Sequence, residues 1–153
     1  MLRILWTLLP SLAIIHCYAD ATPRSNMKRI IQTESAPAAI GPYSQAVQSG
    51  SLVFVSGQIP ISPETGELVS GGIAAQTRQA LLNVKAIVEA AHSSIDHILK
   101  CTVLLNDMRD FAGMNRIYQE FFPSNPPARA TFSVRGLPKK ALVEIEAVAA
   151  IIE

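Results

Sequence analysis

The chain has 153 residues, 49% of them hydrophobic and 16% charged, with a net charge of +1. This is the composition of one ordinary globular domain, with no internal repeat or low-complexity tract. The near-zero charge lacks the basic footprint of a nucleic-acid-binding surface, so no nucleic-acid partner is expected.

Residues 1–26 read as an extension. Arg3 precedes an apolar run from Ile4 to Ile15, broken by Pro10 and Ser11, and Cys17-Tyr18-Ala19 puts small residues where a signal peptidase reads. The run is too short for a membrane span, which needs ~20 apolar residues. Three readings stand: a secretory signal peptide, a mitochondrial presequence using Arg3, Arg24, Lys28 and Arg29, or an upstream start before Met27. Cys101 is the lone thiol of the body, which argues against a secreted, disulfide-bonded domain, and no Asn-x-Ser/Thr acceptor is present. Residues 27–153 form a single domain, long enough to bury roughly two-thirds of its unfolded surface.

Along that body, Arg29 to Thr33 reads as a short first strand. Ala36 to Tyr43 is a loop punctuated by Pro37, Gly41 and Pro42. Ser44–Gln48 and Leu52–Ser56 form a hairpin through Ser49-Gly50-Ser51. A loop from Pro60 to Gly72 leads into a helix over Ile73–Ala91, with Thr77, Leu81, Val84, Val88 and Ala91 at helical spacing. Ile98–Leu105 is a buried strand. Asp110 is placed to cap a second helix, Phe111–Phe122, whose apolar stripe is Phe111, Met114, Tyr118 and Phe121. After Pro123–Pro127 come strands over Ala130–Val134 and Ala141–Ile152, linked by Gly136-Leu137-Pro138. The order ββ, α, β, α, ββ gives an α+β fold, with two helices on one face of a mixed sheet. Ala141–Ile152 is apolar at odd and even positions alike, so both its faces are expected to be buried, the second against another subunit.

Two residues in the stretch from Pro127 to Glu146 carry the chemistry. Arg129 stands near the start of one strand and Glu144 inside the next, in a run from Val143 to Ala150 that is otherwise nearly all apolar. A carboxylate does not enter such a run without a partner or a task. An Arg that grips a carboxylate with two parallel hydrogen bonds, near a Glu that handles a proton, is a minimal site for a small amino-acid-derived molecule. A structural salt bridge between the two is the other reading, and residue types alone leave both open. Glu144 and Glu146 share one side of the strand with Leu142, Val148 and Ile152. His92, His97 and Cys101 lack a metal-ligand spacing, and Cys101 reads as core. No phosphate-binding loop or Ser/His/Asp arrangement is evident.

Four segments resemble the Rid/YjgF family of enamine/imine deaminases, also labelled L-PSP endoribonucleases or translation inhibitors. They are Ala39-Ile40-Gly41-Pro42-Tyr43-Ser44-Gln45-Ala46, Val55-Ser56-Gly57-Gln58-Ile59, Asp110-Phe111-Ala112-Gly113-Met114-Asn115, and Pro127-Ala128-Arg129 through Glu144-Ile145-Glu146. The resemblance implies a chorismate-mutase-like fold assembled as a homotrimer, with clefts between subunits. It implies 2-imino or 2-amino-enoic acid substrates such as 2-iminobutanoate and 2-iminopropanoate, no cofactor or metal, no membrane, and a cytosolic or mitochondrial location. By the same analogy Arg129 binds the substrate carboxylate and Glu144 activates water, while Tyr43, Ser56, Gly57, Asn115 and Thr131 line the cleft. Thr131 departs from the family's frequent Cys, so thiol behaviour does not carry over.

Two rival functions come from other classes. RNA cleavage with translation inhibition needs phosphate-binding cations and an acid–base pair, whereas His92 and His97 lie away from the matched segments. A chaperone-like binder would act through exposed apolar surface.

Overall fold

The computed structural model describes residues 28–152, so the readings of residues 1–26 lie outside the described residues. Its elements are β1 (Arg29–Ile31), β2 (Ala46–Ser49), β3 (Leu52–Gln58), α1 (Gly72–Ala90), β4 (Ile98–Leu105), α2 (Phe111–Phe121), β5 (Ala128–Ser133) and β6 (Val143–Ala150). The strands form one mixed sheet in the order β1-β2-β3-β6-β4-β5. Only β4 and β5 are parallel, and a parallel pair needs a crossover, which α2 supplies. The hairpin between β2 and β3 turns through Gly50 and Ser51, with Ser49 opposite Leu52 and Gly50 at φ 58.

The periodic face of α1 is buried as its spacing predicts: Thr77, Leu81, Val84 and Val88 are all inaccessible to solvent, joined by Ala80 and Ile87. They meet Val143, Ile145, Ala147 and Ala149 of β6 and Cys101, Val103 and Leu105 of β4, while Met114 and Tyr118 of α2 close the core. Each large aliphatic side chain buried there contributes about 1.5–3 kcal/mol, as an upper estimate. Both helices thus cover one face of the sheet.

The opposite face is the one expected to meet another subunit. Alternate residues of β6 turn outward, where Glu144 and Val148 are half-buried and Glu146 is exposed. Phe54, which pairs with Val148, is 46% exposed, and Phe132, in register with Leu104 and through it with Glu144, is 48% exposed. Among the described residues this face of β6 is left open, because both helices pack on the other side.

The cap of α2 also moves. Asp110 adopts helical geometry and makes no side-chain cap. Asp107 instead accepts a hydrogen bond from the Arg109 backbone N–H at 2.8 Å, opening a 3-10 turn over Met108–Asp110 that feeds the helix. Another 3-10 turn, Pro138–Lys140, precedes β6 and holds two consecutive lysines in the left-handed region, Lys139 at φ 52 and Lys140 at φ 60. No helix among the described residues is long and apolar enough to cross a membrane.

Candidate active site

Glu144 stands in a cleft that a local irregularity in β3 creates. The register between β3 and β6 shifts between Val55 and Gln58, and this bulge brings Ser56 and Gly57 beside Glu144. A Cβ at position 57 would overlap the Glu144 carboxyl group, so only glycine permits the approach. The cleft holds about 300 Å³ and is walled by Ile40, Tyr43, Ser56, Gly57, Ile59, Pro138 and Glu144. Burial pushes the Glu144 carboxyl above its ordinary range, and the charge of Glu146 on the same side of β6 pushes it further.

The hydroxyl of Ser56 donates to the carbonyl of Ser44 at 2.7 Å, and its backbone N–H donates to Gln45 O at 3.0 Å. Ser56 therefore ties the bulge to the segment behind Tyr43 while lining the cleft. Tyr43 is 48% exposed, and its phenol oxygen accepts a 3.4 Å hydrogen bond from Ile40 N–H.

Arg129, Asn115 and Thr131 form a second cluster. The Arg129 guanidinium donates to Asn115 Oδ1 at 2.8 Å and lies over the Tyr118 ring at 4.4 Å and the Phe111 ring at 5.8 Å. Such stacking orients a cation without neutralising it. Among the described residues no carboxylate forms an ion pair with Arg129. Behind it, burial pushes the Cys101 thiol up, opposed by Tyr118 and Arg129, while burial and Cys101 push the Tyr118 phenol up. The hydroxyl oxygens of Thr131 and Tyr118 are buried without a hydrogen bond of ordinary geometry.

The two clusters lie on opposite faces of the sheet. Arg129 pairs with Cys101, whose side chain is buried beneath the helices, and its own side chain lies over α2. Glu144 alternates with Val143 and Ile145, both fully buried on the helix side, so it points the other way. The proximity of Arg129 and Glu144 expected from the sequence is therefore not realised within one chain, and neither is a salt bridge between them. The structure brings Tyr43, Ser56 and Gly57 to Glu144, and Asn115 to Arg129. Thr131, two residues along β5, shares the Arg129 side.

Sequence reasoning missed the aromatic shelf of Phe111 and Tyr118, because helical spacing made both read as core. It also missed Ile40, Ile59 and Pro138 as cleft walls, although all three lie within or beside the quoted segments. Among the described residues no three His, Cys, Asp or Glu side chains gather as metal ligands.

Residues 33–151 match the family described as Endoribonuclease L-PSP. A RutC family protein of Pyrococcus horikoshii is 55% identical over 123 residues, which is 80% of this chain and 98% of that protein. The human 2-iminobutanoate/2-iminopropanoate deaminase is 50% identical over 125 residues, covering 82% of this chain and 91% of that one. The crystal structure of Escherichia coli TdcF with bound serine superposes with a TM-score of 0.78 at 47% identity, over 81% of this chain and 99% of that one. With residues 33–151 matched by the family model and about four-fifths of its length matched by these relatives, the chain belongs to the Rid/YjgF (L-PSP) family.

Proposed function

We propose that this protein hydrolyses reactive 2-imino acids, and the enamines in equilibrium with them, to 2-keto acids and ammonia. The observation that carries the reading is Arg129: a guanidinium fixed by Asn115 and two rings, yet paired with no carboxylate among the described residues. A cation held in that way suits the carboxylate of a small incoming acid, gripped through two N–H groups. The name of the human relative and the serine bound to the bacterial one favour a ligand of that size and chemistry.

In the proposed mechanism the enamine first tautomerises to the imine by gaining a proton at its β-carbon and losing one from nitrogen. Glu144, in its carboxylate form, then takes a proton from water as the oxygen attacks the C=N carbon. Glu144 returns that proton to nitrogen, giving the neutral carbinolamine, and then carries the hydroxyl proton to nitrogen as the C–N bond breaks and the C=O bond forms, so that ammonia leaves and the carboxylate is regenerated. A carboxyl group raised by burial serves both directions better than an exposed one, because its proton affinity lies nearer neutrality. One positioned base is worth ~10²–10⁴-fold, and a carboxylate clamp adds orientation.

The placement of the clusters on opposite faces favours a site shared between copies, with Arg129 from one and Glu144 from the next. A contact between two different surfaces is heterologous and makes a ring when its rotation closes, and we read that ring as a homotrimer. The open face bearing Phe54, Phe132 and Val148 would be covered in that assembly. The test is hydrolysis of 2-iminobutanoate or 2-iminopropanoate, generated in place and followed by keto-acid and ammonia release. Production no faster than spontaneous hydrolysis would overturn the reading.

A further inference from the structure

Four amide side chains are buried in the described structure, Gln45, Gln58, Gln76 and Asn83, each 6% exposed or less. Buried amides must find partners, and these four find them in the backbone segments that wall the Glu144 cleft. Gln45 accepts from Thr33 N–H at 2.7 Å and donates to the carbonyls of Thr33, Ala36 and Pro37 at 3.0, 3.1 and 2.8 Å, rooting the loop that runs on to Ile40 and Tyr43. Gln58 donates to Ser56 O at 3.0 Å inside the bulge. Asn83 donates to the carbonyls of Ile59 and Ile61 at 3.2 and 2.9 Å.

The fourth acts on the chain that carries the carboxyl group. From α1, Gln76 Oε1 accepts the Leu142 backbone N–H at 2.8 Å while its Nε2 donates to Val69 O at 3.4 Å. Leu142 lies two residues before Glu144, and its carbonyl accepts from Asn106 N–H at 2.9 Å. Immediately upstream is the turn whose Lys139 and Lys140 are both left-handed, a conformation that held contacts must maintain. Upstream of that, Pro138 is a wall of the cleft.

We propose that Gln76 is a positioning residue for Glu144: by holding the Leu142 N–H from helix α1 it fixes where β6 begins, and with it the place of the carboxyl group against Gly57. A neutral amide does this without adding a charge beside a carboxyl group whose proton must move. Gly57 leaves no slack on the other side, since even a methyl group there would overlap the carboxyl. A shift of β6 at Leu142 therefore changes how the carboxyl group sits against Gly57. The inference rests on the reading of Glu144 as the proton-handling group.

The test compares Gln76→Met, which keeps length and packing but removes both hydrogen bonds, with Gln76→Glu, which keeps an acceptor for Leu142. Two readouts are taken: kcat and KM for imine hydrolysis, and the titration of the Glu144 carboxyl followed by carbon-13 NMR. Gln76→Met is expected to lower kcat at least about tenfold while KM stays within about twofold, because the substrate clamp is elsewhere. It is also expected to move the Glu144 titration down towards the ordinary range as the carboxyl group loosens into water. Gln76→Glu is expected to recover kcat in part, because its acceptor restores the Leu142 bond while its acidic group loses the Val69 bond and adds charge near Glu144. A Gln76→Met protein that melts earlier but keeps the wild-type kcat and Glu144 titration would reduce Gln76 to a structural residue and overturn the proposal. If the wild type does not hydrolyse imines, the functional reading fails and the titration still decides the positioning. If Gln76→Met does not fold, amide exchange of the wild type decides: Leu142 should be protected like β6, and exchange at a loop-like rate would overturn the proposal.

Discussion

Arg129 and Glu144 stand on opposite faces of one sheet, the first aimed at the rings of α2 and the second into the cleft beside Gly57. Two strand registers separate them, since β4 lies between β5 and β6. Neither neutralises the other, so each keeps the property its surroundings give it. Arg129 keeps a charge paired with no carboxylate among the described residues, and Glu144 keeps a carboxyl group that holds its proton to higher pH.

Removing that charge should weaken substrate capture. Arg129→Ala is expected to lower kcat/KM for a 2-imino acid by roughly 10–100-fold, the equivalent of charge-assisted hydrogen bonds worth about 1.5–3 kcal/mol. Arg129→Lys should recover only part of the loss, because an ammonium lacks the planar fork. Steady-state kinetics on the two variants checks this.

Glu144→Gln removes the proton carrier and should lower kcat by about 10²–10⁴-fold with the fold intact. In the wild type, the rate should rise with pH through a midpoint above the ordinary Glu value, because the working form is the carboxylate and burial favours the acid. Stability should run the other way. The folded state binds the proton more tightly than the unfolded chain does. Stability is therefore full below the ordinary carboxylate range and declines as pH rises through the raised value. Glu144→Gln should accordingly melt above wild type at neutral pH and match it in acid, as calorimetry at two pH values would show.

Glu146→Gln tests the second cause of the raised carboxyl. Removing the neighbouring negative charge should lower the midpoint of the acidic limb of the rate profile, by less than the contribution of burial, which is the larger cause. The plateau rate should change little.

Gly57→Ala places a methyl group where the Glu144 carboxyl lies. The carboxyl group must swing away or the bulge must open, and about 10²-fold loss of kcat is expected for a displacement of the order of 1 Å. A crystal structure of the variant would show which of the two gives way.

Lys140 tests the turn before β6. A non-glycine residue in the left-handed region costs roughly 1–2 kcal/mol, and Gly returns part of the gain as unfolded-state entropy. Lys140→Gly should raise stability by about 0.5–1 kcal/mol, and Lys140→Val should lower it; chemical denaturation measures both.

Some of this could be read before any fold was known. The helix α1 was legible because Thr77, Leu81, Val84 and Val88 repeat at one period and all proved buried. Glu144 stood out because a carboxylate interrupts an apolar strand, and the bulge at Ser56-Gly57 lay within a segment already singled out. Which way Arg129 and Glu144 point was not legible, since β6 inserts between β3 and β4 and only that long-range pairing fixes the faces. Asp110 resembled a cap because the 3-10 turn that passes the role to Asp107 leaves no periodic trace over so few residues. Gln76 looked like an ordinary polar position on a helix, because its partner Leu142 lies 66 residues away in sequence.

The opposed faces of Arg129 and Glu144 also make the site divisible in solution. If each working cleft borrows one residue from each of two copies, two impaired variants can rescue one another. Arg129→Ala and Glu144→Gln chains, unfolded together in equal amounts and refolded, should regain about a quarter of wild-type activity, since about one random pairing in four joins the two intact halves. Chains refolded separately should stay at the low residual rate of each variant, and so should either variant mixed with itself. A site contained within one chain permits no such complementation.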